Sequence, residues 1–304
     1  MRRAYAFAIA ACLSFTSSGC IKQMILDGQI AGTRQGAQAV DTISDYEVAQ
    51  SAAFAGIAQF EGMHYLAPEN EDALFMLTKS WAGASFGFIE DLMEQAEDTE
   101  GDQSPIYRYE QARARAAYDR AIHYGVMLLE MHHPGFEAAK KNDTTLKAWL
   151  AQFDKDDAEI LFWTGNAWMS KTNVIKEEPA AVAELWIGVG IMERAVQLDD
   201  GVMHGSGHIA LGAYHARSPM AEMEQGKQEL DKAIQMTGGK FLMGKLQLAA
   251  KYYCLKGDKD AYVKTLTEVV EAGDVWPEQR LTNAIAKRRA LRYLGKPRMR
   301  ACGF

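Results

Sequence analysis

The chain has 304 residues, with 33 Lys and Arg against 40 Asp and Glu and a formal net charge of −7 at pH 7. That acidic surplus argues against nucleic acid, whose binding rests on neutralising phosphates with cations. The length suits one long domain or two ordinary ones, and four cysteines are too few for a disulfide framework.

The first element in chain order is a leader. Arg2 and Arg3 precede "AYAFAIAACLSF", a charge-free run of signal-peptide length and too short to span a bilayer as a finished helix. Cutting after "AIA" would leave almost no apolar region. The stretch "FTSSGC" instead reads as a lipobox, with Ser18 and Gly19 ahead of Cys20, although Ser17 stands where such boxes usually carry Leu. The expectation is a signal over residues 1–19 and a lipidated Cys20. A plain secreted protein and an uncleaved anchor are the alternatives. Acyl chains on one cysteine supply more than the two signals needed for stable attachment. Removing the leader deletes two cations and no acid, so the remainder is more acidic still. No later segment approaches 18 uncharged apolar residues.

Residues 20–52 are expected to form a tether and leading helix, 53–296 a repeat domain and 297–304 a basic tail. The fold class predicted is all-α. Pro68, Pro105, Pro134, Pro179, Pro219, Pro277 and Pro297 fall where helices would start or stop. Between them the apolar spacing is helical, as at Val182, Leu185, Trp186, Val189, Met192 and Val196. The segments "HYLAPEN", "LEMHHPGF", "VQLDDGV", "IQMTGGKF" and "VEAGDVWP" each close a helix with a breaker. The last three closures lie roughly 36 to 38 residues apart, near the tetratricopeptide period of antiparallel helix pairs. Such pairs stack into a superhelix with a concave face. Gly83, Gly165, Gly212 and Ala250 recur where paired helices must approach closely. The acidic stretch "EQAEDTEGDQSP" (94–105) reads as a solvated loop. The cationic "KRRALRYLGKPRMR" reads as a solvated terminal helix, with anionic headgroups or an acidic partner as the alternative. A buried Cys254 and a free Cys302 are expected in preference to a pair.

Chemistry is sparse. There is no nucleophile elbow, phosphate loop or CxxC pair, and no enzyme is expected. His204 and His208 have metal-ligand spacing, with His215 further on, but Gly205 and Gly207 weaken the helix that would present them. No metal or other cofactor is expected. Glu90/Asp91 and Asp156/Asp157 are sequence neighbours, which do not face each other on a helix. His132 and His133 suit a helix C-terminus. A ligand path along the concave face would draw on "SWAGASF", "FWTGNAW" and "HIALGAYHAR". Trp81, Trp163 and Trp168 would give apolar area, Asn166 and His208 hydrogen bonds, and Arg217 a bidentate carboxylate contact.

The blocks "LFMLTKSWAGASFGFIED", "LFWTGNAWMSKTNV", "VGIMERAVQLDDGVMHGSGHIALGAYHAR", "GKQELDKAIQMTGGKFLMGKLQLAAKYYCLKGD" and "RLTNAIAKRRALRYL" occur in that order. Over roughly residues 53–294 the chain resembles the TatT family, the T-component of tripartite ATP-independent periplasmic (TRAP) transporters. The resemblance implies a periplasm-facing lipoprotein with a tetratricopeptide-like fold and a homotrimeric assembly. It also implies a periplasmic substrate-binding protein as partner and a small organic or apolar ligand passing near an apolar channel. It implies no catalytic residues. Ser17 and the acidic insertion at 97–102 depart from the family pattern. Ile21, in place of an Asp after the lipidated cysteine, favours an outer-membrane address. An envelope scaffold that grips a partner protein in a tetratricopeptide-like groove is the alternative.

Overall fold

The computed structural model describes residues 21–217 and 222–304. Cys20, the signal segment and Pro219 lie outside the described residues. Among those described, every regular element is a helix and no strand occurs.

Helix α1 covers residues 21–37 and leads through a 3-10 turn, Gln38–Thr42, to α2 (Tyr46–Leu66) and α3 (Glu71–Ala84). A π-helical segment, Ser85–Ile89, joins α3 to α4 (Glu90–Glu100) without a break. Then come α5 (Pro105–His132), α6 (Phe136–Ala139), α7 (Asp143–Leu150), α8 (Ala158–Val174), α9 (Pro179–Ala183), α10 (Leu185–Leu198), α11 (Val202–His215) and α12 (Met223–Met236). Helix α13 (Leu242–Gln247) passes through a second π segment, Leu248–Tyr253, into α14 (Cys254–Lys256). Helices α15 (Lys259–Glu271), α16 (Arg280–Tyr293) and α17 (Lys296–Ala301) end the chain.

The helix boundaries follow local chemistry. The five breaker segments close α2, α5, α10, α12 and α15, as the sequence predicts. The side chains of Asp45, Asn70, Ser104, Asn142 and Asp258 accept hydrogen bonds from the orphan backbone N–H groups of α2, α3, α5, α7 and α15. Pro105, Pro179 and Pro297 open α5, α9 and α17, where a missing N–H costs nothing.

Helices pack on their chain neighbours: α3 on α5, α5 on α8, α8 on α10, α11 on α12 and α15 on α16. Two of these seams rest on reciprocal glycines. A Cβ at Gly165 (α8) would lie 3.1 Å from the carbonyl oxygen of Gly188 (α10) and 3.0 Å from the Met192 nitrogen. A Cβ at Gly212 (α11) would lie 2.9 Å from the Gly226 (α12) carbonyl oxygen, and one at Gly226 would lie 2.8 Å from that of Gly212. The obstructing atoms are backbone, so neither seam could admit a side chain without moving apart. Gly83 differs from expectation. Nothing lies within 4 Å of its would-be Cβ, and the close contact falls at Gly87, 3.0 Å from Ile285. The π segment supplies the reason, because its wider turn shifts the face presented after Ala84.

Two further expectations are corrected together. The acidic stretch is not a solvated loop but the end of α4, which runs to Glu100 and turns at Gly101 (φ 88°). The cationic stretch is not a solvated helix either, because Arg288, Arg292 and Arg298 bind α4. Asp91 accepts from Arg288 Nε at 2.8 Å and from Arg292. Glu94 accepts from Arg292 and from the Tyr293 hydroxyl at 3.0 Å. Arg298 donates to Glu97 at 2.7 Å and pairs with Asp98 at 2.6 Å. Arg289, 2% exposed, donates to the Phe86 carbonyl and sits 3.7 Å from Glu90, which accepts from the Tyr118 hydroxyl. Burial works to raise Asp91 and Glu94, but the arginines hold both below the ordinary carboxylate range. For Glu90 burial wins, and its pKa is pushed up to about 7 despite Arg289.

The cysteines also depart from expectation. Cys254 and Cys302 form a disulfide, with Cα atoms 5.0 Å apart. The C-terminal segment folds back beside α14, which brings within bonding range two thiols that lie 48 residues apart in sequence.

Candidate functional site

The strangest backbone in the chain opens α11. Met203 (φ 48°), His204 (φ 59°) and Gly205 (φ 79°) make three consecutive left-handed residues. Only the glycine adopts that conformation freely, and each side-chain-bearing residue costs roughly 1–2 kcal/mol there. The surroundings hold the turn in place. Val202 before it is buried, and Met203 packs against the same core. His208, one helical turn beyond, is 3% exposed and engages a carboxylate with each ring nitrogen: Nδ1 with Glu229 at 2.5 Å and Nε2 with Asp200 at 3.1 Å. Asp200, in the connection between α10 and α11, also receives Lys232 Nζ at 2.5 Å. Hydrogen bonding to Glu229 raises the His208 pKa above the ordinary histidine value, against the effect of burial. An imidazole engaged at both ring nitrogens therefore ties the segment before the strained turn to α11 and α12.

The turn delivers His204 to an aromatic edge. Its ring meets Trp276 edge-on with centroids 4.8 Å apart and lies 5.9 Å from Phe241. Charges gather near it. Asp41, from the 3-10 turn after α1, is raised by burial, while the charges of Lys79 (α3) and His204 pull it down and Glu159 (α8) pushes it up. Desolvation depresses His204, with Asp41 opposing and Lys79 reinforcing. Lys79 Nζ stands 5.7 Å over the ring of Trp163, whose indole N–H approaches Glu159 at 3.4 Å. Among the described residues Lys79 has no hydrogen-bonded or ion-paired carboxylate. Five separate elements thus contribute one ammonium, one imidazole, two indoles and two carboxylates, Asp41 and Glu159, to a partly desolvated neighbourhood. In that set the Lys79 ammonium is the group that could meet an anion and the indole faces the groups that could meet hydrocarbon, with Asp41 and Glu159 competing for the same ammonium.

The structure places the sequence-singled residues variously. Trp163 lies within this neighbourhood. Trp81 is half-buried, donates its indole N–H to Glu61 at 2.8 Å and lies under Arg120 at 5.3 Å. Asn166 is half-buried on α8. Trp168 is 8% exposed in the core, 5.9 Å from Phe136. His208 is engaged in the carboxylate clamp. Arg217 is exposed, lies 4.3 Å over Tyr214 and donates to that residue's carbonyl. His204, His208 and His215 turn to different partners, the last to Glu222 at 3.0 Å.

Sequence inspection passed over Asp41, Lys79, Glu159 and Trp276. Lys79 left a usable signal, being the one cation in the otherwise acidic and apolar α3. Trp276 was visible only as part of a helix-closing segment.

A family model described as TRAP transporter T-component matches residues 42–299. No curated protein matches the chain.

Proposed function

The chain belongs to the TRAP transporter T-component family, and from that membership we propose a lipid-anchored, periplasm-facing accessory subunit that binds or channels a small organic acid. In this proposal Cys20 carries the lipid and the outer membrane is the favoured address. The helix pairs form a tetratricopeptide-like superhelix, and three copies assemble. The transporter's periplasmic substrate-binding protein docks on the assembly and exchanges ligand with it. No helix among the described residues is long and apolar enough to cross a membrane.

The observation that carries the ligand reading is the Lys79 ammonium over Trp163, beside His204 and Trp276, with no hydrogen bond to a carboxylate among the described residues. This ammonium feels Asp41 but makes no hydrogen bond to a carboxylate among the described residues, which leaves its donors open to an added anion. Trp163 forms the floor of the site and Trp81 its flank. Asn166 offers an amide along the same helix face, one turn after Phe162. Trp168 and His208 act from behind, the first by packing α8 and the second by holding the turn that carries His204. Arg217 serves an outer approach.

The test is a calorimetric and tryptophan-fluorescence titration of the purified protein with pyruvate, octanoate and an uncharged amide of each. Saturable binding of an acid but not its amide, weakened at least tenfold by Lys79→Met, is expected. Equal responses of wild type and Lys79→Met would remove the site. If the protein bound no acid yet co-purified with the substrate-binding protein, docking would stand alone.

A further inference from the structure

Exposed large apolar side chains occur along the whole chain, among them Tyr109 and Leu291, but five of the most exposed gather at one corner. Ile21, Met24 and Ile25 on α1 are 56%, 72% and 66% exposed, and Tyr65 and Leu66 at the end of α2 are 86% and 64% exposed. The two groups are neighbours. Leu66 shares a surface hollow with Gln23 and Asp27 of α1, and Asn70, just past α2, donates to Asp27 at 2.8 Å.

Helix α1 is not a loose arm. Its inner face is fixed, with Ile30 fully buried, Leu26 and Ala37 on the core, and Arg34 paired with Asp72 while lying 3.9 Å over the Phe75 ring. At 100° per residue its outward face carries Ile21, Met24 and Ile25, then only Gly28, Ala31, Gly32 and Gln35. The apolar area is therefore confined to the turn and a half nearest residue 20. Beyond it the outward face is small or polar, which does not provide the continuous apolar stripe that a second helix would need.

We propose that this corner is a bilayer seat: the first turn of α1 and the end of α2 rest in the headgroup region of a phospholipid membrane and orient the body on it. The inference rests on the lipoprotein reading. Consecutive Cα atoms are about 3.8 Å apart, so acyl chains on Cys20 would bring Ile21 to the membrane surface, with no spacer between anchor and rigid body. Interfacial segments insert apolar residues roughly 5–10 Å deep, which the side chains of Met24, Ile25, Tyr65 and Leu66 can supply together. Lys22 beside them suits an anionic headgroup.

The experiment uses the full-length lipidated protein in phosphatidylethanolamine/phosphatidylglycerol vesicles. Cys20 is acylated and Cys254 is paired with Cys302, so Met24→Cys, Tyr65→Cys and Gln35→Cys each offer one free thiol for an environment-sensitive dye. Labels at 24 and 65 are expected to shift to the blue and to be quenched by lipid nitroxides near the headgroups. The label at 35 should remain water-like. Labels at 24 and 65 that behave like that at 35, in protein still held by its acyl chains, would overturn the seat and leave the anchor intact. Blue-shifted labels that lipid nitroxides fail to quench would overturn it in favour of a second copy covering the corner. Protein that carries no acyl label on Cys20 and washes off the vesicles would overturn the lipoprotein reading, and the seat with it.

Discussion

At His208 a single imidazole decides whether a left-handed turn can exist in water. Its pKa is raised, so its stabilisation is fully present below the ordinary histidine value of 6.5 and is lost as pH rises through the folded value. Glu229 is lowered by the same bond, so its share is present above its ordinary 4.5 and is lost as pH falls through the folded value. The melting temperature of the wild type should therefore fall toward alkaline pH more steeply than that of His208→Gln, and the difference between the two curves isolates the residue. Parallel curves would show that Asp200 and Glu229 hold the turn without a proton on the ring. The glycine seams give a second expectation at this scale. Gly165→Leu and Gly212→Leu should each destabilise by about 1–3 kcal/mol or more, because a backbone carbonyl stands where the side chain must go. Gly83→Ala, with open space around it, should be neutral or slightly stabilising. Thermal melts of the three variants check the ordering.

Between elements, the ion pairs joining α4 to α16 and α17 bridge about 200 residues of sequence. Arg292 is 13% exposed and Asp91 only 1%, so Arg292→Ala would strand buried carboxylates. Breaking such a pair from one side costs roughly 3–5 kcal/mol, and chemical denaturation should read a loss of that order. The disulfide holds the far side of the same corner. Reduction, or Cys302→Ser, should cost about 2–4 kcal/mol, visible as a lower denaturant midpoint with the secondary structure kept. These elements also show what the sequence made legible. Helix ends were readable because caps and breakers act within a few residues, as at Asn70 and Gly101. Partners were not readable. The acids of 94–98 and the arginines of 288–298 each look solvated alone, and only the fold brings them together. Lys79 and Trp163 were half visible, one as a cation in an apolar helix and the other as a tryptophan. Nothing in their spacing placed His204 and Trp276 beside them, since a left-handed turn at Met203 has no signature in side chains that normally avoid it.

For the whole molecule, the anchor is the first quantity to test. Cys20→Ser should leave a precursor of higher mass without acyl label, and normal labelling of that variant would remove the lipid from the account. A different consequence follows from the distance, along the chain, between α4 and its arginines. Nearly 200 residues separate Asp91 from Arg288, and ribosomes add roughly 5–20 residues per second. For about ten to forty seconds of synthesis the carboxylates of α4 exist before the groups that neutralise them. Until then the acids of α4 stand without the arginines that pair with them in the finished fold. The last twenty-odd residues therefore complete the molecule: the buried acids of α4 gain their arginine partners only when α16 and α17 have been made.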